Sequence, residues 1–141
     1  VLAGASGSYA LPAVPPSVRV RSVGRVGDAE LASLYARASL LAHPSLYEGF
    51  GLPVLEAMAA GTPVVASDIP SVREAAGDAA EFVKPGDAAA FSQALQRVLT
   101  DSSLAAGLRA RGTARAATKS WDLTAEQTLH SIRRAVEESG E

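Results

Sequence analysis

The 141 residues carry 13 Lys and Arg against 15 Asp and Glu, a formal net charge of -2, with 48% hydrophobic residues and no cysteine. A chain of this length buries one core and not two, and its charge leaves no basic surplus for nucleic acid. The absence of thiols excludes disulfides, thiolate metal sites and cysteine nucleophiles, and leaves the redox compartment open.

Taken in order, Val1 and Leu2 before Ala3 and Gly4 read as the tail of a strand. The stretch GASGSYALPAVPPS, residues 4 to 17, reads as a surface connection whose glycines form turns rather than bind phosphate. Ser6 and Ser8 within it lack nucleophile-elbow spacing. VRVRSVG, residues 18 to 24, alternates apolar and charged positions as a strand does. From Asp28, suited as an N-cap, Leu31, Leu34, Tyr35 and Ala38 share one helical face. ASLLAHPS follows as a short buried strand. Pro53 suits the first position of the next helix, Leu55, Met58 and Ala59 form its apolar face, and Gly61 is its left-handed stop.

PVVASD is uncharged until Asp68 and reads as a strand buried on both faces. Ser71 and Glu74 have capping-box spacing, with Gly77 as the stop. AEFVKPGD gives a brief strand and turn, after which Asp87 caps a helix carrying Phe91, Ala94, Leu95, Val98 and Leu99. Two helical segments follow, around 102–117 and 123–138; the second has Leu129, Ile132 and Val136 on one stripe, with Trp121 as its expected anchor. His43 and His130 lack metal-ligand spacing and are assigned structural or solvent roles. No apolar run reaches the roughly 18 residues needed to span a bilayer, and no secretory leader pattern opens the chain. The expected address is the cytoplasm, in solution or peripheral at the inner membrane face.

Strand and helix alternate at short spacing, which predicts an α/β fold: a Rossmann-like, mainly parallel sheet with helices on both faces. Ligands bind such sheets beyond the carboxyl ends of the strands, where HPSLYEGFG falls. The loop from Glu48 through Gly49, Phe50, Gly51 and Leu52 opens a helix, whose first N–H groups lack intrahelical partners and attract anions. Ionised Glu48 and Glu56 accept hydrogen bonds and donate none, so they suit vicinal hydroxyls. A ligand with sugar, diphosphate and sugar in series would meet carboxylate, amides and carboxylate. Other readings stay open. The glycines could simply shape a turn, with both carboxylates solvated. A glycosidase acid and nucleophile about 5 to 9 Å apart would leave the amide loop unexplained. A dinucleotide fingerprint fails because Val54 stands where a third glycine belongs.

YEGFGLPVLEAMAAGTPVVAS, continued by IPSVREAAGDAAEFVKPGD, resembles the Glu-x7-Glu motif and flanking strand of the retaining family 4 glycosyltransferases, which have the two-domain GT-B fold. The resemblance implies transfer of a hexose, mannose or glucose, from a nucleotide-diphosphate sugar to a saccharide or lipid-linked acceptor, with retention and with no cofactor or divalent metal. It implies that Glu56 accepts from the ribose and that Glu48 contacts the donor hexose. The backbone amides of Gly49, Phe50, Gly51 and Leu52 would hold sugar and diphosphate, and Val26 and Leu31 would border the base. The family's arginine and lysine for the diphosphate have no counterpart, and that role does not transfer to Arg19, Arg21 or Arg25. Residues 1–141 therefore read as an incomplete C-terminal donor-binding domain whose acceptor site lies in an N-terminal domain outside it. A strand expected between those at 1–3 and 40–45 is also missing, which suggests self-association or strand swapping. The alternative is a non-catalytic nucleotide- or nucleotide-sugar-binding module.

Overall fold

The computed structural model describes residues 1–4 and 14–138. Its elements run β1 (Leu2–Ala3), β2 (Ser22–Gly24), α1 (Asp28–Arg37), β3 (Leu41–His43), α2 (Leu52–Ala59), β4 (Val64–Ser67), α3 (Pro70–Ala76), β5 (Glu81–Val83), α4 (Ala88–Thr100), α5 (Ser102–Ala117) and α6 (Trp121–Glu138). All strand pairings are parallel. They form two groups, β1 with β2 and β3-β4-β5. Among the described residues no ladder joins β1 to β3, and a cavity of about 1200 Å³ lined by Leu2, Ala3, Leu41 and Ala42 lies there.

The strand β4 is buried throughout, as an uncharged run between two neighbours must be. Its pleat divides the core into two halves, one on each face of the sheet. Val64 and Ala66 face Val54, Met58 and Val72 of α2 and α3, while Val65 faces Ala94 and Val98 of α4 and Leu108 of α5. Each fully buried aliphatic side chain contributes about 1.5 to 3 kcal/mol, which makes this strand the centre of the fold's stability.

The helix α5 is tied to the C-terminal ends of two others by arginines, which give guanidinium donors to carbonyls left without helical partners. Arg109 donates to the Gly61 carbonyl at 2.6 Å, and Arg115 to the carbonyls of Ala75 and Glu74 at 2.9 and 2.5 Å. Gly61 and Gly77 end α2 and α3 with positive φ, as expected. Asp87 accepts from the Ala90 amide and caps α4.

Local expectations fail where burial or backbone geometry outweighs pattern. Only Ser22–Gly24 of the stretch from residue 18 is strand, because Val18 and Val20 have no covering layer and remain exposed. Gly27, not Asp28, is the N-cap of α1; Asp28 sits in the first turn, where the helix dipole favours its charge. Leu52 opens α2, so Pro53 takes the second position. Ser71 is already inside α3, whose N-cap is Ile69, so the capping box does not form. Trp121 starts α6 but is 76% exposed and anchors nothing; the stripe of Leu129, Ile132 and Val136 is exposed as well. The readings made on residues 5–13, including Ser6 and Ser8, lie outside the described residues. Among those described, no helix is long and apolar enough to cross a membrane.

Candidate functional site

The loop between β3 and α2 lies at the carboxyl end of its strand. Gly51 adopts φ +91 at the N-cap of α2, and a Cβ there would stand 3.5 Å from Val72 and 3.6 Å from Ala75 on α3. A side chain would be strained in that conformation. Gly49 differs: its φ is not positive and a Cβ would meet nothing within 4 Å, so open space lies on that side of the chain. Among the described residues the amides of Gly49, Phe50, Gly51 and Leu52 donate to no protein acceptor. Four successive donors thus lead into the positive end of a helix dipole.

Each of the two glutamates is held by partners on its own side of this loop. Glu48 is partly buried; Ser45 Oγ donates to its Oε1 at 2.6 Å, and His43 Nε2 lies 3.2 Å from the same oxygen. Glu56, about one turn into α2 and exposed, accepts from the Tyr35 hydroxyl of α1 at 3.3 Å. Thr62 Oγ1 donates to the Tyr35 carbonyl at 2.6 Å and pins that end of α1 against α2. Glu56, Leu31, Tyr35 and Asp28 line a shallow cavity of about 410 Å³ between the two helices.

The larger cavity brings Val26, Leu31, Glu56 and His43 together. Glu48, Gly49, Phe50, Gly51 and Leu52 line neither cavity; Phe50 and Leu52 expose their side chains, while Gly51 is buried. Sequence reasoning missed three side chains here. Tyr35 was read only as part of an apolar stripe, and His43 as solitary. Ser45 went unremarked, although its spacing three residues before Glu48 is that of a local side-chain hydrogen bond.

Burial pushes the Tyr35 phenol up to about 12 from 10.0, helped by the charge of Glu56 and the hydrogen bond to it. The phenol therefore stays a donor throughout the neutral range. Because the folded value is the higher one, the associated stability is complete below about pH 10 and is lost as pH rises through about 12. Urea unfolding at pH 9 and pH 11 should show this loss in the wild type and a smaller one in Tyr35→Phe; equal losses would remove Tyr35 as its source.

A parallel layer with a donor-rich loop at the carboxyl end of one strand has the architecture of a Rossmann-like domain. Its solved neighbours are GT-B glycosyltransferases. Sucrose-phosphate synthase from Thermosynechococcus elongatus matches with a TM-score of 0.76 and 35% identity, over 85% of this chain and 31% of that one. Anabaena HepE, solved in complex with UDP and glucose, matches with a TM-score of 0.67 and 26% identity, over 84% and 33%. The family model described as Glycosyl transferases group 1 matches residues 13–115, and the chain belongs to that family.

Curated relatives include O-antigen chain mannosyltransferase B of Escherichia coli, 42% identical over 114 residues, or 81% of this chain and 30% of the relative. A second is the MMP alpha-(1->4)-mannosyltransferase of Mycolicibacterium hassiacum, 39% identical over 83% of this chain and 29% of the relative. The chain thus spans under a third of the length of these relatives.

Proposed function

We propose that this chain forms the donor-sugar side of a hexosyltransferase that takes mannose, or another hexose, from a nucleotide-diphosphate sugar and passes it with retained configuration to a saccharide or lipid-linked acceptor. One observation carries the reading: four backbone donors with no partner among the described residues lie between two carboxylates that are each already oriented by a neighbour. In this reading the amides of Gly49, Phe50, Gly51 and Leu52 face the diphosphate and the transferred sugar. Glu56 accepts from the ribose, Glu48 from the hexose, and Val26 and Leu31 pack beside the base.

Amides at a helix start stabilise the charge that grows on the diphosphate as the anomeric bond breaks. Being fixed in advance, they need no reorganisation at that moment. Support for a mannose donor comes from relatives that are mannosyltransferases by name, although a further relative is a D-inositol 3-phosphate glycosyltransferase.

Calorimetric titration of the full-length enzyme with GDP-mannose, UDP-glucose and ADP-glucose tests the reading. One of these should bind, and Gly49→Val should weaken it, because a branched side chain would fill the open approach to the amides. Failure of all three donors to bind would overturn it. Binding with no transfer to any acceptor would instead favour a non-catalytic module.

A further inference from the structure

His43 ends β3 with 8% of its surface exposed, and its Nε2 is wholly buried. That nitrogen lies 3.2 Å from Glu48 Oε1, yet among the described residues no acceptor meets it at a hydrogen-bonding angle. Two facts then conflict. An unpartnered buried donor or acceptor is costly, and a carboxylate acceptor stands within reach of this one. A nitrogen lone pair facing the carboxylate would be repelled, so the contact is favourable only if Nε2 carries a proton. Ser45 Oγ already donates to the same oxygen, which leaves Oε2 of Glu48 for a ligand.

We propose that His43 is a positioning residue for Glu48. Its Nε2–H stands behind the carboxylate, within reach of Oε1 but off the hydrogen-bonding angle, and closes onto it when Oε2 takes a hydroxyl of the transferred sugar. Hydrogen bonds of catalytic groups commonly tighten in this way only in the substrate complex. The inference rests on the reading of Glu48 as the sugar-facing carboxylate, and it adds a residue that touches no substrate atom. It also explains why a histidine occupies a buried strand end where an aliphatic side chain would avoid the unpaired nitrogen.

The test uses the full-length enzyme with GDP-mannose and UDP-glucose. His43→Leu should lower kcat about 10- to 100-fold, the weight of one charge-assisted hydrogen bond, with little change in KM for the donor. His43→Gln should recover most of that, because its amide nitrogen is as many bonds from Cβ as Nε2 and can donate to the same oxygen. In a Glu48→Ala background His43→Leu should cost nothing further, since its effect passes through Glu48.

Equal impairment in the Gln and Leu variants, or a full additional loss in the Glu48→Ala background, would overturn the proposal. A measurement independent of activity, and of whether His43→Leu folds, is the imidazole tautomer of the wild type by long-range nitrogen-proton correlation. Protonation at Nε2 supports the contact; a proton on Nδ1 alone overturns it. If neither nucleotide-sugar binds, the donor-site reading fails while the tautomer still decides the pairing of His43 with Glu48.

Discussion

Alanine at Glu48 is expected to lower kcat about 100-fold while leaving KM for the nucleotide-sugar nearly unchanged, whereas alanine at Glu56 weakens nucleotide binding about tenfold or more. The two carboxylates differ in surroundings. Glu48 is partly buried, fixed by Ser45, and one residue from the open side of Gly49. A rigid, partly desolvated acceptor is well placed to strengthen its hold on a sugar as positive charge develops at the reacting carbon, and an interaction made mainly in the transition state appears in kcat. Glu56 is exposed, lies over the cavity shared with Leu31, and is held by the Tyr35 phenol. Its bond to a ribose hydroxyl would be equally strong before and during reaction, so its loss falls on binding. Steady-state kinetics with separate nucleotide titrations distinguishes the two. Equal, small effects at both positions would mean that these are solvated surface carboxylates.

Valine at Gly112 is expected to destabilise the protein by about 3 kcal/mol, the upper range for overpacking a filled core. At this residue α5 crosses α2, and an added Cβ would lie 3.1 Å from Met58 Cγ and 3.4 Å from its Cβ. Met58 is 1% exposed and packed in the same cluster as Val54 and Ala57, so it has no free volume to enter. The two γ-carbons of valine, with χ1 confined inside a helix, would force α5 away from α2. Gly107→Ala on the same helix is the control: its Cβ would stand 3.3 Å from the guanidinium tip of Arg111, an exposed side-chain end that can give by a few tenths of an ångström while its Nε–H still donates to the Asp78 carbonyl, and exchanging glycine for a helix former should add about 0.5 to 1 kcal/mol. Urea unfolding midpoints of the two variants should move in opposite directions. A midpoint for Gly112→Val within error of the wild type would refute the close-approach argument. Because α2 also carries Glu56 and begins at the amide loop, the same variant should weaken donor binding without touching a ligand.

Much of this architecture was legible in the linear pattern because the pattern reports local physics. The uncharged run at Val64–Ser67 announces a strand with neighbours on both sides, and the helical spacing of Ala94 and Val98 announces a buried face. Asp87 before its helix, and Gly61 and Gly77 after theirs, have one favourable conformation each. The position of the glutamate pair around a glycine-bearing turn was legible because glycine is the residue that takes positive φ without strain, as Gly51 does at the start of α2. Capping at Asp28 and Ser71 was misjudged because several residues near a helix start can cap it, and the arrival angle of the chain chooses among them. The extent of the strand before Gly24 was misjudged because alternation promises a covered face without supplying the cover.

The order of residues determined the fold class, the parallel strands, the positions of most helix ends and the two carboxylates around a donor-rich turn, all of which depend on neighbours a few positions apart. Tertiary structure alone decided that Tyr35 would serve Glu56, that a buried imidazole would stand behind Glu48, that Gly112 would admit Met58, and that Trp121 would face solvent. The meetings of Tyr35 with Glu56 and of Gly112 with Met58 join different helices, and the burial of His43 and exposure of Trp121 depend on what covers them; all are set by how helices and strands pack, which no local spacing encodes.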